Sequence, residues 1–444
     1  MSGFIHDPSV VSWGRVERFS HQVARPAFFD ELPALIEAAR AKGPVLAIGL
    51  GRSYGDSGLN ADGALIDMSG LDRLLSFDPQ TGILEAEAGV SLADILGFAV
   101  PRGLFLPVTP GTKFVTLGGA IANDVHGKNH HGASTIGRWV ERLELWRSDG
   151  SRHLLRPDGN SDLFAATIGG LGLTGLIARA ALRLERIESA FLDVETTPFA
   201  NLAEFFALAA GQAERFTHTV AWVDCLASGR SLGRGVFSAA SFSREGGLDP
   251  GRARRRPALP VDFPSFALNR FSIGAFNQVY ALAGRLKAGR ARLPYERYFY
   301  PLDAIGNWNR LYGRRGMFQY QSVVPPPAAE AATAEMLRQI GRAGDGSFLV
   351  VLKTFGALPS PGLLSFPREG TTLALDFPNR GDSTLALLDR LDAVVKEAGG
   401  RLYPAKDGRL SGAMFRAGYP ELERFAAQLD PGFSSSFWRR VMGR

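Results

Sequence analysis

Up to about residue 190, short apolar runs at 44–48, 64–68, 83–88 and 140–146 are bounded by glycine-rich turns and read as strands. Residues 28–41 and 92–99 instead carry apolar side chains at the three- and four-residue spacing of helices. From about 195 to 400 the pattern changes. Helical periods at 202–215, 328–343 and 384–398 alternate with strand-like runs at 217–224, 348–355 and 371–377. Such alternation predicts a sheet with helices packed on one face. The fold class that follows is α+β. Residues 1–190 form a domain of two small subdomains with a ligand between them, 191–400 form a cap over it, and 401–444 return to the first domain. No internal repeat is visible.

With 444 residues, 45% of them hydrophobic, the chain can bury a large core and should make two to three domains. Its single cysteine, Cys225, excludes an internal disulfide and a multi-cysteine metal site. Following Trp222-Val223-Asp224 on a strand-like run, it reads as an inert buried thiol. No apolar run approaches the roughly 18 residues of a membrane span. The opening, with Phe4, His6 and Asp7, lacks the pattern of an export signal.

The net charge of +6 is uneven. One knot is Arg252, Arg254, Arg255 and Arg256; a second is Arg285, Lys287, Arg290, Arg292 and Arg297. Phe263, Phe266, Phe271, Phe276 and Tyr280 lie among them. Two readings stay open for this 250–300 region: a solvated loop with a helical turn, or a basic, aromatic flap on an anionic membrane surface. No nucleic-acid-binding motif accompanies the charge, so no such partner is expected.

Two glycine-rich segments carry the chemistry. The first follows a strand-like run: Gly49-Leu50-Gly51-Arg52-Ser53-Tyr54-Gly55-Asp56. Successive N–H groups in such a loop make an anion nest. The spacing G-x-G-x-x-x-G and the polar residues after it do not suit the helix of a Rossmann dinucleotide site. The second runs from Gly118 to Gly132 and interleaves Gly118, Gly119, Gly127 and Gly132 with His126, Lys128, His130 and His131. These glycines let main chain pass close to a ligand, beside titratable side chains. His126 and His130 are four apart and could share a helix face. The glycines argue against that helix, no carboxylate set accompanies the pair, and no metal is expected.

Gly51-Arg52-Ser53-Tyr54-Gly55-Asp56, Pro110-Gly111-Thr112, the Gly118–His131 segment and Gly172-Leu173-Thr174-Gly175 resemble the PCMH-type FAD-binding domain of the vanillyl-alcohol-oxidase superfamily. Gln319-Tyr320-Gln321, Lys353, Asp376-Phe377-Pro378 and the 399–407 segment extend the likeness to the flavoprotein oxidases of decaprenylphosphoryl-ribose epimerisation, in the same order. The resemblance covers roughly residues 10 to 430. It implies FAD held by Gly49, Gly51, Arg52, Ser53, Tyr54, Gly55, Asp56, Gly111, Thr112, Thr116, Gly118, Gly119, Asn123, His126, Gly127, Ile177 and Tyr403. Where many relatives attach flavin covalently through histidine, this chain has Asp56, so the FAD is expected to be non-covalent.

The implied reaction turns the 2′-hydroxyl of a polyprenylphosphoryl ribose into a ketone, which a separate NAD(P)H-dependent short-chain reductase returns as the arabino epimer. The place implied is cytoplasmic, peripheral at the inner membrane. Lys128, Gln319, Gln321, Lys353 and Lys406 are expected to hold the sugar and phosphate. Oxidation needs a base in hydrogen-bond reach of the hydroxyl, and it stays open among His126, Lys406 and Tyr54. For Lys406, orienting the hydroxyl and stabilising the developing alkoxide is the favoured role. Two other activities fit the same motifs less fully: a soluble sugar-1,4-lactone or alditol oxidase, and a non-catalytic lipid-phosphate-binding protein. In mycobacterial members of the family that the chain resembles, a cysteine stands two residues before Asp-Phe-Pro and an asparagine nearby. Here these are Ala374 and Thr372, so thiol-directed inhibitors should find no target.

Overall fold

A four-stranded sheet runs in the order Ile5–Asp7, His21–Ala24, Ala64–Asp67, Val45–Ile48, the last three strands parallel. The computed structural model describes residues 3–61, 63–159, 161–251, 256–264 and 266–443. Arg252, Arg254 and Arg255 of the first basic knot lie outside the described residues. Beside the first sheet is an antiparallel one ordered Leu74–Asp78, Ile83–Glu87, Leu176–Arg183, Val140–Trp146, Arg152–Leu155. Ile48 from the first and Ile177 from the second line one cavity.

The third sheet has eight antiparallel strands: Gly289–Pro294, Phe191–Phe199, Gly235–Phe242, His218–Val223, Val350–Phe355, Gly370–Pro378, Met317–Val324 and Arg401–Leu402. Strand side chains alternate between faces, and here the alternation divides core from site. Phe318, Tyr320, Leu352, Leu373, Leu375 and Phe377 share a buried apolar cluster with Phe205, Leu337, Ile340, Leu388 and Leu391. Those five belong to the helices Leu202–Gln212, Ala329–Ala343 and Asp382–Glu397. Burying each such side chain stabilises by about 1.5–3 kcal/mol. Gln319, Gln321, Lys353 and Ala374, of the opposite parity, line the cavity.

The region around 270–286 departs from both expectations of a loop and of helices on one face only. Arg270–Leu286 is a 17-residue helix, capped by Asn269, whose side chain accepts from the amides of Phe271 and Ser272. It lies on the cavity face of the eight-stranded sheet: the Tyr280 ring meets Trp222 at a tilt, with ring centroids 4.5 Å apart, and Asn277 donates to Asp224 at 2.8 Å. An alanine-rich stretch without proline favours helix here despite two internal glycines.

The last segment contacts the first domain at several points. Val45 N donates to Gly432 O at 2.8 Å, and Ser436 N to Leu59 O at 2.8 Å. Asp430 accepts from Ser148 N at 2.8 Å. Arg401–Leu402 extends the edge of the cap sheet.

Candidate active site

The strand Val45–Ile48 ends at Gly49, and the chain crosses to a single 3-10 turn, Asp56–Gly58, with no crossover helix. Gly51 takes φ +61°, a conformation that glycine adopts without steric penalty. Among the described residues no group accepts a hydrogen bond from the amides of Leu50, Gly51, Arg52 and Ser53, and all four residues line a cavity of about 880 Å³. Leu50 and Gly51 are exposed and Arg52 and Ser53 half-buried, so these amides stand open at the cavity. Four in succession form the nest that a diphosphate needs. Arg52 adds charge beside it, stacked 4.1 Å over Trp13 and donating to Phe114 O at 3.1 Å.

Gly118 and Gly119 bring main chain to the cavity with their amides already engaged. Gly118 N donates to Ala88 O at 2.8 Å, and Gly119 N to Thr116 Oγ1 at 3.1 Å. Thr116 thereby caps the helix Leu117–Ala122, which the glycine content had concealed. A Cβ on Gly118 would lie 2.8 Å from Ala88 Cβ, so glycine is needed here for close packing. Both still line the cavity, as do Gly49, Tyr54, Gly55, Gly111, Thr112, Asn123, Gly127, Ile177 and Tyr403. Asp56 turns away. Its buried carboxylate lies 2.7 Å from Arg440 on the helix Ser436–Met442 and ties the chain's end to the loop.

At the other end of the cavity the eight-stranded sheet supplies the side chains. Lys353 Nζ lies 3.0 Å from His126 Nδ1 and donates to Gly127 O at 2.9 Å. The Gln321 amide lies 3.0 Å from His126 Nε2 and reaches Thr372 Oγ1 at 3.2 Å. Both ring nitrogens of His126 therefore face protein partners. Burial and the nearby Lys353 hold this imidazole well below its usual range, so it is neutral near pH 7. Burial pushes Lys353 down to about 7, with help from Lys128 and Lys406, and burial alone brings Lys128 to about 7. Lys128 Nζ donates to Tyr298 O and sits 4.2 Å over the Tyr298 ring.

Lys406 Nζ sits 4.2 Å over the Tyr54 ring, with no hydrogen-bond acceptor among the described residues. Burial pushes it down to about 8, against the opposing pull of Asp376. The same burial raises the Asp376 carboxyl, which accepts from Gln319 Nε2 at 2.6 Å. Burial also raises Tyr54 well above 10, so it stays a phenol. Tyr403 stacks on Phe366 with centroids 4.6 Å apart and donates to Asn123 O at 2.8 Å.

The structure thus brings every sequence-predicted substrate residue, Lys128, Gln319, Gln321, Lys353 and Lys406, into the cavity that holds the open loop. It adds Tyr298 to the lining and sets Asp376 and Thr372, given no role by the sequence reading, behind Gln319 and Gln321 as their hydrogen-bond partners. Asp376 carried a signal: it shares the cavity parity of Thr372 and Ala374 on one strand. Cys225 is fully buried against Ser347, and burial pushes its thiol up to about 12.

Comparison with known proteins gives the family. Residues 20–156 match the family described as FAD binding domain. The decaprenylphosphoryl-beta-D-ribose oxidase of Mycolicibacterium smegmatis is 36% identical over 451 residues, spanning 97% of both chains. The L-gulono-1,4-lactone dehydrogenase of Mycobacterium tuberculosis is 31% identical over 162 residues, 36% of this chain and 37% of its own. The D-arabinono-1,4-lactone oxidase of Yarrowia lipolytica is 27% identical over 165 residues, 36% of this chain and 31% of its own. The cofactor is FAD, and the open amides of residues 50–53 fit its diphosphate. The chain is an FAD-dependent oxidoreductase and belongs to the decaprenylphosphoryl-β-D-ribose oxidase family.

Proposed function

We propose that the protein oxidises the 2′-hydroxyl of a polyprenylphosphoryl-β-D-ribose to the 2′-ketone, the first half of epimerisation to the arabinose form. One observation carries this reading: a lysine whose amine has no protein acceptor, Lys406, opens into the cavity that holds the free amides of Leu50–Ser53. When bound, FAD supplies the acceptor for the hydride that leaves C2′. Leu50, Gly51, Arg52 and Ser53 would hold its diphosphate. Tyr403, Asn123 and Ile177 would border its ring. With no histidine or cysteine between Gly49 and Asn60, that loop offers no covalent attachment, so the FAD is non-covalent.

The hydroxyl proton needs an acceptor as the C–H bond breaks. His126 has both nitrogens engaged and Tyr54 remains a phenol. The neutral amine of Lys406 is left, and it takes the proton from O2′ to become an ammonium. This assigns Lys406 a more active part than orienting the hydroxyl. Gln319, Gln321 and Lys353 orient the ribose, and Lys128 meets the phosphate. A separate NAD(P)H-dependent reductase returns hydride to the other face of the ketone.

The lipid requires contact with a bilayer. No helix among the described residues is long and apolar enough to cross one. The helix Arg270–Leu286 nevertheless exposes Phe271 (79%), Val279, Leu282 and Leu286 (80%). No acidic residue occurs between Phe263 and Tyr295, while Arg270, Arg285 and Lys287 flank the stripe. Apolar anchors among cations suit an anionic surface, and we read this helix as the peripheral membrane contact. A soluble lactone or alditol oxidase is the weaker reading, because the lactone-acting relatives match only about a third of the chain.

Colour tests the proposal. Purified protein is expected to be yellow and to release FAD on acid precipitation. Anaerobic polyprenylphosphoryl ribose should bleach it, while gulonolactone and xylitol should not. Bleaching by a lactone alone overturns the substrate assignment.

A further inference from the structure

Five cavity-facing residues stand opposite one another across the eight-stranded sheet. Gln321 pairs with Ala374, Ala374 with Val351, Val351 with Trp222, and Trp222 with Val236. Directly paired residues of antiparallel strands share a face, so this row spans four inter-strand spacings, about 19 Å. Its chemistry changes along the way. The Gln321 end lies among Gln319, Lys353, Thr372 and Asp376. Past Val351 the floor is Trp222, Val220, Val236, Val194, Thr196 and Ser238, with no charged side chain among them. Val220, Val236 and Ser238 are only half-buried although they sit beneath a helix. The roof is the inner face of Arg270–Leu286, through Tyr280, Ala283 and Gly284, with Lys287 at its C-terminal end. A Cβ at Gly284 would come within 2.3 Å of Val236 Cγ2, so the helix lies directly on this floor. Lys128 stands between the two ends, its backbone oxygen accepting from Thr219 at 2.8 Å.

We propose that this apolar groove, between the strands Phe191–Phe199, His218–Val223 and Gly235–Phe242 and the helix Arg270–Leu286, holds the first isoprenoid units of the substrate, with Lys128 at the phosphate. The assignment rests on the ribose-lipid reading given above. A molecule with a sugar at one end, a phosphate in the middle and a hydrocarbon beyond has the same order of chemistry as the floor. Open apolar surface is the cost of keeping such a groove vacant; the hydrocarbon covers it. The outer face of the same helix is the exposed apolar stripe, so the chain passes alongside this helix from the bilayer to the sugar site.

The test uses holoenzyme and two probes. A polyprenyl phosphate carrying a diazirine on its second isoprene unit is photolysed on the wild-type protein, and labelled peptides are mapped. Label on Val194–Phe199, Val220–Trp222, Val236–Ser238 or the inner face of Arg270–Leu286 is expected. Label confined to the outer face or elsewhere overturns the groove. Separately, Thr196→Trp and Thr196→Phe fill the groove at a position away from Lys128 and Tyr298. Each should lower kcat/KM for a long-chain substrate on the order of tenfold, while turnover of methylphosphoryl ribose stays unchanged. Equal turnover of the long-chain substrate by yellow, folded variants overturns the groove. Flavin bleaching by the sugar lipid without groove labelling removes this inference alone. Groove labelling without bleaching instead removes the oxidase reading and leaves the lipid site standing.

Discussion

Lys353 Nζ lies 3.0 Å from His126 Nδ1, and this contact joins a strand of the cap sheet to the second glycine-rich segment. It fixes the ring of His126 from one side while Gln321 holds the other. Lys353→Met removes that hold without changing the nest at Leu50–Ser53. Losing a hydrogen-bond partner costs about 0.5–1.5 kcal/mol, so kcat/KM should fall about two- to tenfold while FAD content stays at wild-type level. Loss of FAD along with activity would place Lys353 in the cofactor site instead.

Lys406, pushed down to about 8 by burial, sets the pH dependence. The neutral amine is the base, and its population grows as pH rises through about 8. The single-turnover rate of flavin bleaching should therefore rise across that window and level off above it. The anionic form of Asp376 favours the Lys406 ammonium, so Asp376→Asn should move the rise to lower pH. A rate that declines over the same window contradicts Lys406 as the base.

Asp56→Ala should act on stability and leave the cofactor in place. The buried carboxylate meets Arg440 at 2.7 Å, and Arg440 is itself partly exposed, which lowers the penalty for leaving it unpaired. Denaturant unfolding of the holoprotein should show a loss of about 2 kcal/mol, with the flavin spectrum unchanged. A shifted flavin spectrum at full stability would put Asp56 back at the cofactor.

Ala374 faces the cavity midway between Gln321 and Val351 and offers no thiol there. Intact-mass analysis should find no adduct on wild-type protein after treatment with a thiol-directed inhibitor. Ala374→Cys should gain one adduct per chain in that segment. An adduct on the wild type would have to fall on Cys225, whose thiol burial pushes up to about 12.

Phe271→Asp combined with Leu286→Asp places two charges on the outer stripe of the helix Arg270–Leu286. Co-sedimentation with anionic vesicles should drop to background, and bleaching by methylphosphoryl ribose should persist. Undiminished sedimentation would move the membrane contact to another face.

The sequence alone determined most elements and the fold class, because apolar spacing depends on neighbours in the chain, and its family resemblance pointed to the cofactor; it did not show the helices Leu117–Ala122 and Arg270–Leu286. Apolar spacing located the helix Leu92–Ala99 and the strand Val140–Trp146 to the residue, and the glycines around Gly51 marked a loop whose amides stay open. Partner choice was decided only by the tertiary structure. Asp56 finds Arg440 across 384 positions, His126 finds Lys353 across 227, and Gly118 uses its amide on Ala88. Period two along Met317–Val324 and Gly370–Pro378 separates two faces, yet which face meets helices and which meets a ligand depends on what packs above them. A hydrogen bond between distant segments satisfies a buried group only once both are in place, so the spare lysine and the occupied histidine became visible only in three dimensions.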